Sequence, residues 1–333
     1  MLIALDKHAT PDRLREKLER KGRSNIGAAF RFWYTSLVKH LSRKTEGLIA
    51  VNLSAVIFGS AALFGKLPIS PCWIVAMRAL FAAIALAILG STRSTLRALP
   101  RAQLPSILST GVLLAIHWVT FFLSVQLGGI AIATLTFAAF PLFTVLIECG
   151  RARRRMHIAE ALAGGAIIVA AAALVDWRST VASHQTSGVV AGLVCAVAFA
   201  AFGVASKRLT IDLSPLLMSM YQNIVVSAVL LPLLPFFRPV PHTGMMWIWL
   251  VLLGVVTTAL MHQLYFYALQ RLSASTCSGF IALEPVYAIL FAAFLFHDSV
   301  TVRVLVAAAL IIAASIALHR QEEADCQDLV DIP

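Results

Sequence analysis

Apolar and polar positions alternate along this chain in long blocks. After a polar opening, ten apolar runs follow one another, at about residues 47–66, 71–90, 104–126, 129–149, 157–175, 187–206, 214–236, 245–269, 273–296 and 300–318. Each run has roughly the 17–25 residues that a helix needs to cross a bilayer. Short polar breaks containing Arg, Lys, Pro and Ser separate them. The pattern predicts an all-α integral membrane protein with ten transmembrane helices. Composition agrees, because 59% of the 333 residues are hydrophobic and only 13% are charged. Soluble domains carry about 25% charged residues.

The formal net charge of +11 would suggest a nucleic-acid partner if it were clustered on one face. Its distribution says otherwise. With a cytoplasmic N-terminus, eleven Lys and Arg fall in the opening segment through Lys44. Arg93, Arg97 and Arg101, then Arg151, Arg153, Arg154 and Arg155, then Lys207, Arg208, Arg271 and Arg320 fall on the same side, 22 of the 27 in all. Lys66, Arg178, Arg238 and Arg303 fall outside, and Arg78 lies within a run. Short cytoplasmic loops collect Lys and Arg. Both termini are therefore expected in the cytoplasm, and the basic surplus reads as a topology signal with no nucleic acid implied.

Residues 1–46 form a basic segment in which Ile26, Phe30, Trp33, Leu37 and Leu41 recur at helical spacing. That suits an amphipathic helix on an anionic membrane face; a disordered basic tail fits equally. No continuous apolar core of a signal peptide precedes residue 25. Residues 320–333 form an acidic C-terminal tail. Cys72, Cys149, Cys195, Cys277 and Cys326 show no CxxC spacing and read as small membrane hydrophobes. No metal or cofactor is implied. No GxxxxGK[ST], HExxH or GxSxG is present, so nothing points to a nucleotide site, a zinc protease or a serine hydrolase.

A repeat is legible beneath the hydropathy. A shift of 144 residues places Ser70-Pro71 on Ser214-Pro215, Phe122 on Phe266, Gln126 on Gln270, Pro141 on Pro285 and Leu146 on Leu290. A shift of 141 aligns the first run with the sixth, Phe58 on Phe199 and Lys66 on Lys207. The expected domains are residues 47–176 and 187–319. Five spans per half is an odd number, so the halves are expected to lie upside down relative to each other. That 5+5 inverted repeat is an architecture of alternating-access transporters, with the site near the midplane.

Four stretches now carry a resemblance: NLSAVIFGSAALFGKL, SPCWIVAMRALFAAIALAIL, HWVTFFLSVQLGGIAIATLTFAAFPLF and ALEPVYAILFAAFLFHD. Over residues 47–320 the chain resembles the drug/metabolite transporters, in their ten-helix form with two EamA domains. Where that family commonly has Gly-Glu after the ninth helix, this chain has His297-Asp298, and the matching first-half position is Arg154. The resemblance implies secondary transport of small organic metabolites, often export of amino acids or related compounds.

The candidate chemistry centres on Glu284, followed at once by Pro285 in the ninth run. A charge at the bilayer centre costs about 2.5–3.5 kcal/mol on insertion scales, so it rarely sits there without a partner or a task. The proline is expected to kink the helix. Glu284 is a candidate to bind an amino group or to carry a proton, or else is locked to a basic group for packing. Helical spacing groups His117, Phe121 and Ser124; Thr258, His262 and Tyr265; Thr134, Phe137 and Pro141; and Phe280, Glu284, Tyr287 and Phe291. A midplane cavity between these faces would be aromatic, suited to a small amphipathic solute. Trp118, Arg78, its repeat partner Gln222, and Asn52 complete the candidate site. Each has a plainer reading: a packing aromatic, a snorkelling arginine, helix-contact amides. Glu148 and Glu160 read as ion pairs beside the Arg cluster.

Two other functions compete. An intramembrane enzyme acting on a lipid would need clustered acids or histidines, which are too few and scattered here. A non-transporting scaffold or sensor would not need polar groups at matching midplane positions of both halves. The expected partners are a small-molecule substrate and the lipid bilayer of the cell membrane, with protons as the candidate coupling ion.

Overall fold

Serine-proline pairs start two of the helices, and proline suits a first helical turn because its missing N–H would be unbonded there anyway. Helix α1 (Arg43–Ala61) ends in a 3₁₀ turn, Ala62–Lys66. Ser70 precedes α2 (Pro71–Thr92), and the Ile74 amide donates to the Ser70 carbonyl at 3.1 Å. The Ser214 carbonyl takes the same bond from Met218 at 3.0 Å, opening α7 (Pro215–Leu230). These equivalents are 144 residues apart. Between them lie α3 (Leu104–Phe137), α4 (Phe140–Ala152), α5 (Ile158–Ala173) and α6 (Ala182–Asp212). After α7 come a 3₁₀ segment, Leu231–Phe236, and α8 (Gly244–Gly254). A π turn, Val255–Leu260, leads into α9 (Met261–Leu269), followed by α10 (Glu284–Phe296) and α11 (Val302–Ala314).

These elements belong to a computed structural model that describes residues 42–92, 98–153, 155–175, 182–272, 277, 280–281, 283–298 and 300–314. The expected amphipathic helix before residue 42 and the tail 320–333 lie outside the described residues. The chain separates at Glu46 into two units. Of the first, the opening turn of α1 is described, where Ser42 Oγ accepts the Thr45 amide at 3.1 Å. All that follows concerns the second unit, from Gly47 on. Every described element is helical, and six stretches are long and apolar enough to cross a membrane: Arg43–Lys66, Pro71–Thr92, Arg101–Phe137, Ala182–Lys207, Pro215–Phe236 and Gly244–Leu269. Shorter apolar helices, Glu160–Ala173, Glu284–Phe296 and Val302–Ala314, join them. Large apolar side chains point outward, Phe294 at 80% exposure and Val302 at 76%, as suits a surface solvated by lipid tails.

The fourth predicted span differs from expectation. Its first half runs on from the third as one element, turning at Gly129 (φ 86°, ψ 170°), a backbone that favours glycine. The helix then breaks at Ala138-Ala139 and restarts as α4 with Pro141 in its first turn. The ninth span repeats the event, since Leu283 lies outside the helix and α10 restarts at Glu284-Pro285. The proline does more than kink. Its missing donor and its clash with the carbonyl four residues back end one helix and let another begin. Both restarted helices close on a left-handed residue, Arg153 (φ 52°) and His297 (φ 56°), again 144 apart.

Among the glycines at which the halves meet closely, two face equivalent partners. A Cβ added at Gly111 in α3 would stand 2.5 Å from the Val225 side chain of α7, and one at Gly254 in α8 would stand 2.6 Å from Phe81 Cβ and 2.7 Å from the Arg78 carbonyl of α2. Val225 and Phe81 are themselves 144 apart. Small residues let helices in a membrane approach backbone to backbone, which is where their attraction comes from.

Elsewhere, Lys66 Nζ reaches Asp298 at 2.6 Å and lies 4.4 Å over the Phe296 ring, tying α1 to the end of α10. The two charged side chains are 31% and 40% exposed. Exposed pairs contribute about 0–1 kcal/mol and weaken in salt. Lys66→Ala is therefore expected to lower the unfolding temperature in detergent by no more than a few degrees, with the difference shrinking in high salt. A large, salt-insensitive loss would show that the pair acts as a buried clamp.

Candidate functional site

Arg78, 2% exposed, projects from α2 into the core. The π turn positions its partner. Thr258 donates its hydroxyl proton to the Leu253 carbonyl at 2.8 Å, which leaves its oxygen to accept from Arg78 Nε at 3.0 Å. The guanidinium carbon lies 4.1 Å from the Trp118 ring centroid and 5.5 Å from that of Phe122. A desolvated cation over an indole face gains about 2 kcal/mol or more. Trp118 also stacks on His262, with centroids 5.8 Å apart and planes within 13°. A shift of 144 carries 118 to 262, so the two equivalent residues of the halves meet each other. Trp118 is thus an interior member of this cluster, 2% exposed.

Glu284 begins α10 and is fully buried, and neither carboxylate oxygen has a hydrogen-bond partner. A helix N-terminus presents unbonded N–H groups and a partial positive charge, which favours an acid there. Arg78 is held by Thr258 and Trp118, and no described hydrogen bond or ion pair joins it to Glu284. Buried charges of opposite sign are normally joined, because an unpaired one is costly. Here a buried arginine and a buried glutamic acid are both present and are not joined.

His117 is the centre of an aromatic group. Its ring lies 4.8 Å from Phe199, 5.2 Å from Phe137 and 6.4 Å from Phe121, and its Nδ1 is 3.2 Å from the Cys195 carbonyl. Phe140 stacks on Phe137 at 5.3 Å and meets Phe199 edge-on at 5.1 Å. Phe58 stacks on Phe137 at 6.1 Å. Tyr265 sits beside Phe266 at 5.6 Å. Gln222 lies in a different polar layer, donating from Nε2 to Thr110 and Ser206 at 3.2 Å each. Asn52 is not drawn into either group by any described contact; its amide donates to the Leu48 carbonyl one turn back at 2.8 Å. Glu160, expected in an ion pair, accepts the His157 amide at 2.7 Å and so helps to cap α5. Among the described residues, no group of three or more His, Cys, Asp or Glu could hold a metal ion.

The profile of the EamA-like transporter family matches residues 45–175 and again 186–319. The chain belongs to the EamA-like transporter family. Its two copies of the domain make it a two-domain repeat, and its apolar helices make it a multi-pass membrane protein of the cell membrane. Among proteins similar to this EamA-like chain is an uncharacterized transporter of Archaeoglobus fulgidus, 29% identical over 139 residues, which are 42% of this chain and 50% of the relative. The chain thus spans half the length of that relative. An uncharacterized transporter of Bacillus subtilis, YxxF, is 23% identical over 255 residues, 74% of this chain and 81% of the relative. A solved crystal structure matches the fold with a TM-score of 0.61 at 18% identity, over 83% of this chain and 98% of the other.

Sequence spacing pointed to most of this cluster but missed Phe140 and Phe199. Both signals were present. Phe140 is the 144-residue counterpart of Glu284, directly before Pro141, and Phe199 is the 141-residue counterpart of Phe58. The halves therefore differ at these positions: one supplies Arg78 where the other has Gln222, and Glu284 stands where the other has Phe140.

Proposed function

We propose that this chain is a secondary active transporter that exports a small organic metabolite, an amino acid in the first instance, by alternating access. Ten membrane helices in a 5+5 inverted repeat, with both termini in the cytoplasm, would carry it. The observation that supports the reading is the unjoined pair, Glu284 with both oxygens unpartnered and Arg78 fixed on Trp118 and Thr258. A solute with a cationic and an anionic group would bridge them. Its apolar part would lie against the rings of Phe121, Phe137, Phe140 and Tyr265. Broken helices in a transporter bring helix ends to the substrate, and α4 and α10 are such restarted helices. Glu284 is the group that would take up and release a proton. No nucleotide-binding motif is present to drive the cycle, so an ion or substrate gradient would.

The test is flux of a panel of labelled amino acids in proteoliposomes, with and without a pH gradient. A saturable, gradient-sensitive flux of one class supports the reading. Failure of every amino acid, with other metabolites moving, would overturn the substrate class alone. Flux indifferent to the pH gradient would remove the proton as coupling ion.

A further inference from the structure

A second buried polar layer lies on α7. Ser219, Gln222 and Asn223 are each 0% exposed, and Ser219 Oγ, Gln222 Oε1 and Asn223 Oδ1 have no hydrogen-bond partner. Their spacing puts them on one arc of the helix, since residues three and four apart are neighbours. Val226 and Leu230, on the same arc, pack into the main core, so the arc faces inward.

The orphan oxygens are not an accident of amide orientation. Thr110 Oγ1 gives its single proton to the Ser106 carbonyl at 2.8 Å, so toward Gln222 it can only accept. That fixes Gln222 Nε2 on Thr110 and turns Oε1 away. Asn223 Nδ2 donates at 2.8 Å to the Ser219 carbonyl, which also can only accept, so Oδ1 is fixed as well. Ser227 Oγ donates to the Asn223 carbonyl at 2.9 Å, leaving no donor for Oδ1 there. What results is a set of three neutral oxygens without a partner, two of them amide oxygens that can only accept, with the Ser206 hydroxyl beside them on Gln222. A buried acceptor left without a partner is costly.

We infer that Ser219, Gln222 and Asn223 form a site for a dehydrated monovalent metal cation, sodium in the first instance. Hard cations take oxygen ligands, and divalent ones are held by carboxylates, which this set lacks. Neutral amide and hydroxyl oxygens suit a single positive charge. The site shares no described hydrogen bond with Arg78 or Glu284, and its test needs no substrate. It therefore stands or falls independently of the transport reading.

The experiment is thermal unfolding of the full-length protein in detergent, with choline chloride replaced by sodium chloride at constant ionic strength, alongside direct binding of radioactive sodium. The expected result is a saturable rise in unfolding temperature with sodium, as for any ligand of the folded state alone. Ser219→Ala should raise the half-saturating concentration on the order of tenfold, the loss of one good contact. Asn223→Leu should abolish the response. Asn223→Asp, which adds a charge, should lower the half-saturating concentration, and it decides the matter should the leucine variant not fold. Equal stability in sodium and choline, with no sodium bound, would overturn the site and leave the oxygens to buried water. A sodium response unchanged in both Ser219→Ala and Asn223→Asp would place the cation elsewhere and equally overturn it.

Discussion

Glu284→Gln should leave the protein folded while removing its response to a pH gradient and cutting substrate flux by roughly ten- to a hundredfold. The magnitude is that of a hydrogen bond to a charged group, about 1.5–3 kcal/mol. The amide keeps the shape of the side chain but can neither carry a negative charge nor release a proton. Stability should move in the opposite direction. The carboxyl group is fully buried with both oxygens unpartnered, and a buried charge without a partner is costly. Replacing it by a neutral group should hold or raise the unfolding temperature. A variant that is more stable and less active marks a residue kept for function at the expense of folding. Flux and gradient response equal to the unaltered protein would show that Glu284 is a packing residue. A sharp loss of folded protein would show that Arg78 depends on it as a structural counter-ion.

Much of this arrangement was legible because bilayer physics leaves few alternatives. A run of apolar residues long enough to span can only be a helix when every backbone group must be satisfied internally. The 144-residue register ties Pro141 to Pro285, and a kink is expected at Pro285; that both prolines begin new helices is what the structure adds. What stayed hidden depended on where individual polar groups found partners. Asn52 gives one N–H to the Leu48 carbonyl of its own helix, a bond that hydropathy does not reveal. Glu160 lies near an Arg cluster, and its acceptance of the His157 amide, which caps its own helix, does not show in the charge pattern. Trp118 is a candidate with packing as its plainer reading, because an aromatic on an apolar helix gives no sign of its distant partners. Its contacts are with Arg78 and His262, distant along the chain, stacked on its ring. The π turn that aims Thr258 at Arg78 leaves no mark in hydropathy, since Val255–Leu260 is as apolar as the helices it joins.

Gly254→Ala and Gly111→Ala should both sharply reduce the yield of folded protein, and for the same reason in both halves. At Gly254 the new carbon would stand 2.7 Å from the Arg78 carbonyl and 2.6 Å from Phe81 Cβ, and neither is the free end of a flexible side chain. At Gly111 it would stand 2.5 Å from Val225 Cβ and 2.5 Å from its Cγ1. Forcing an extra carbon into such contacts costs about 1–3 kcal/mol and pushes the helices apart. Helix spacing is what van der Waals packing in a membrane depends on, so the loss should appear as a lower unfolding temperature in detergent. Gly165→Ala in α5 is the control, since no atom lies within 4 Å of the added carbon; there alanine should be neutral or slightly stabilising, because glycine is the poorer helix former. The two crossings should differ in one respect. Gly254 packs on the backbone of Arg78 itself, so whatever Gly254→Ala protein does fold should also bind and move substrate poorly. The Gly111→Ala protein that folds, pressing on Val225 beside the Gln222 layer, should keep the Arg78–Trp118 contact. Equal stability of Gly254→Ala, Gly165→Ala and the unaltered protein would mean that α2 and α8 are not in backbone contact, and the matched crossing of the two halves would fall with it.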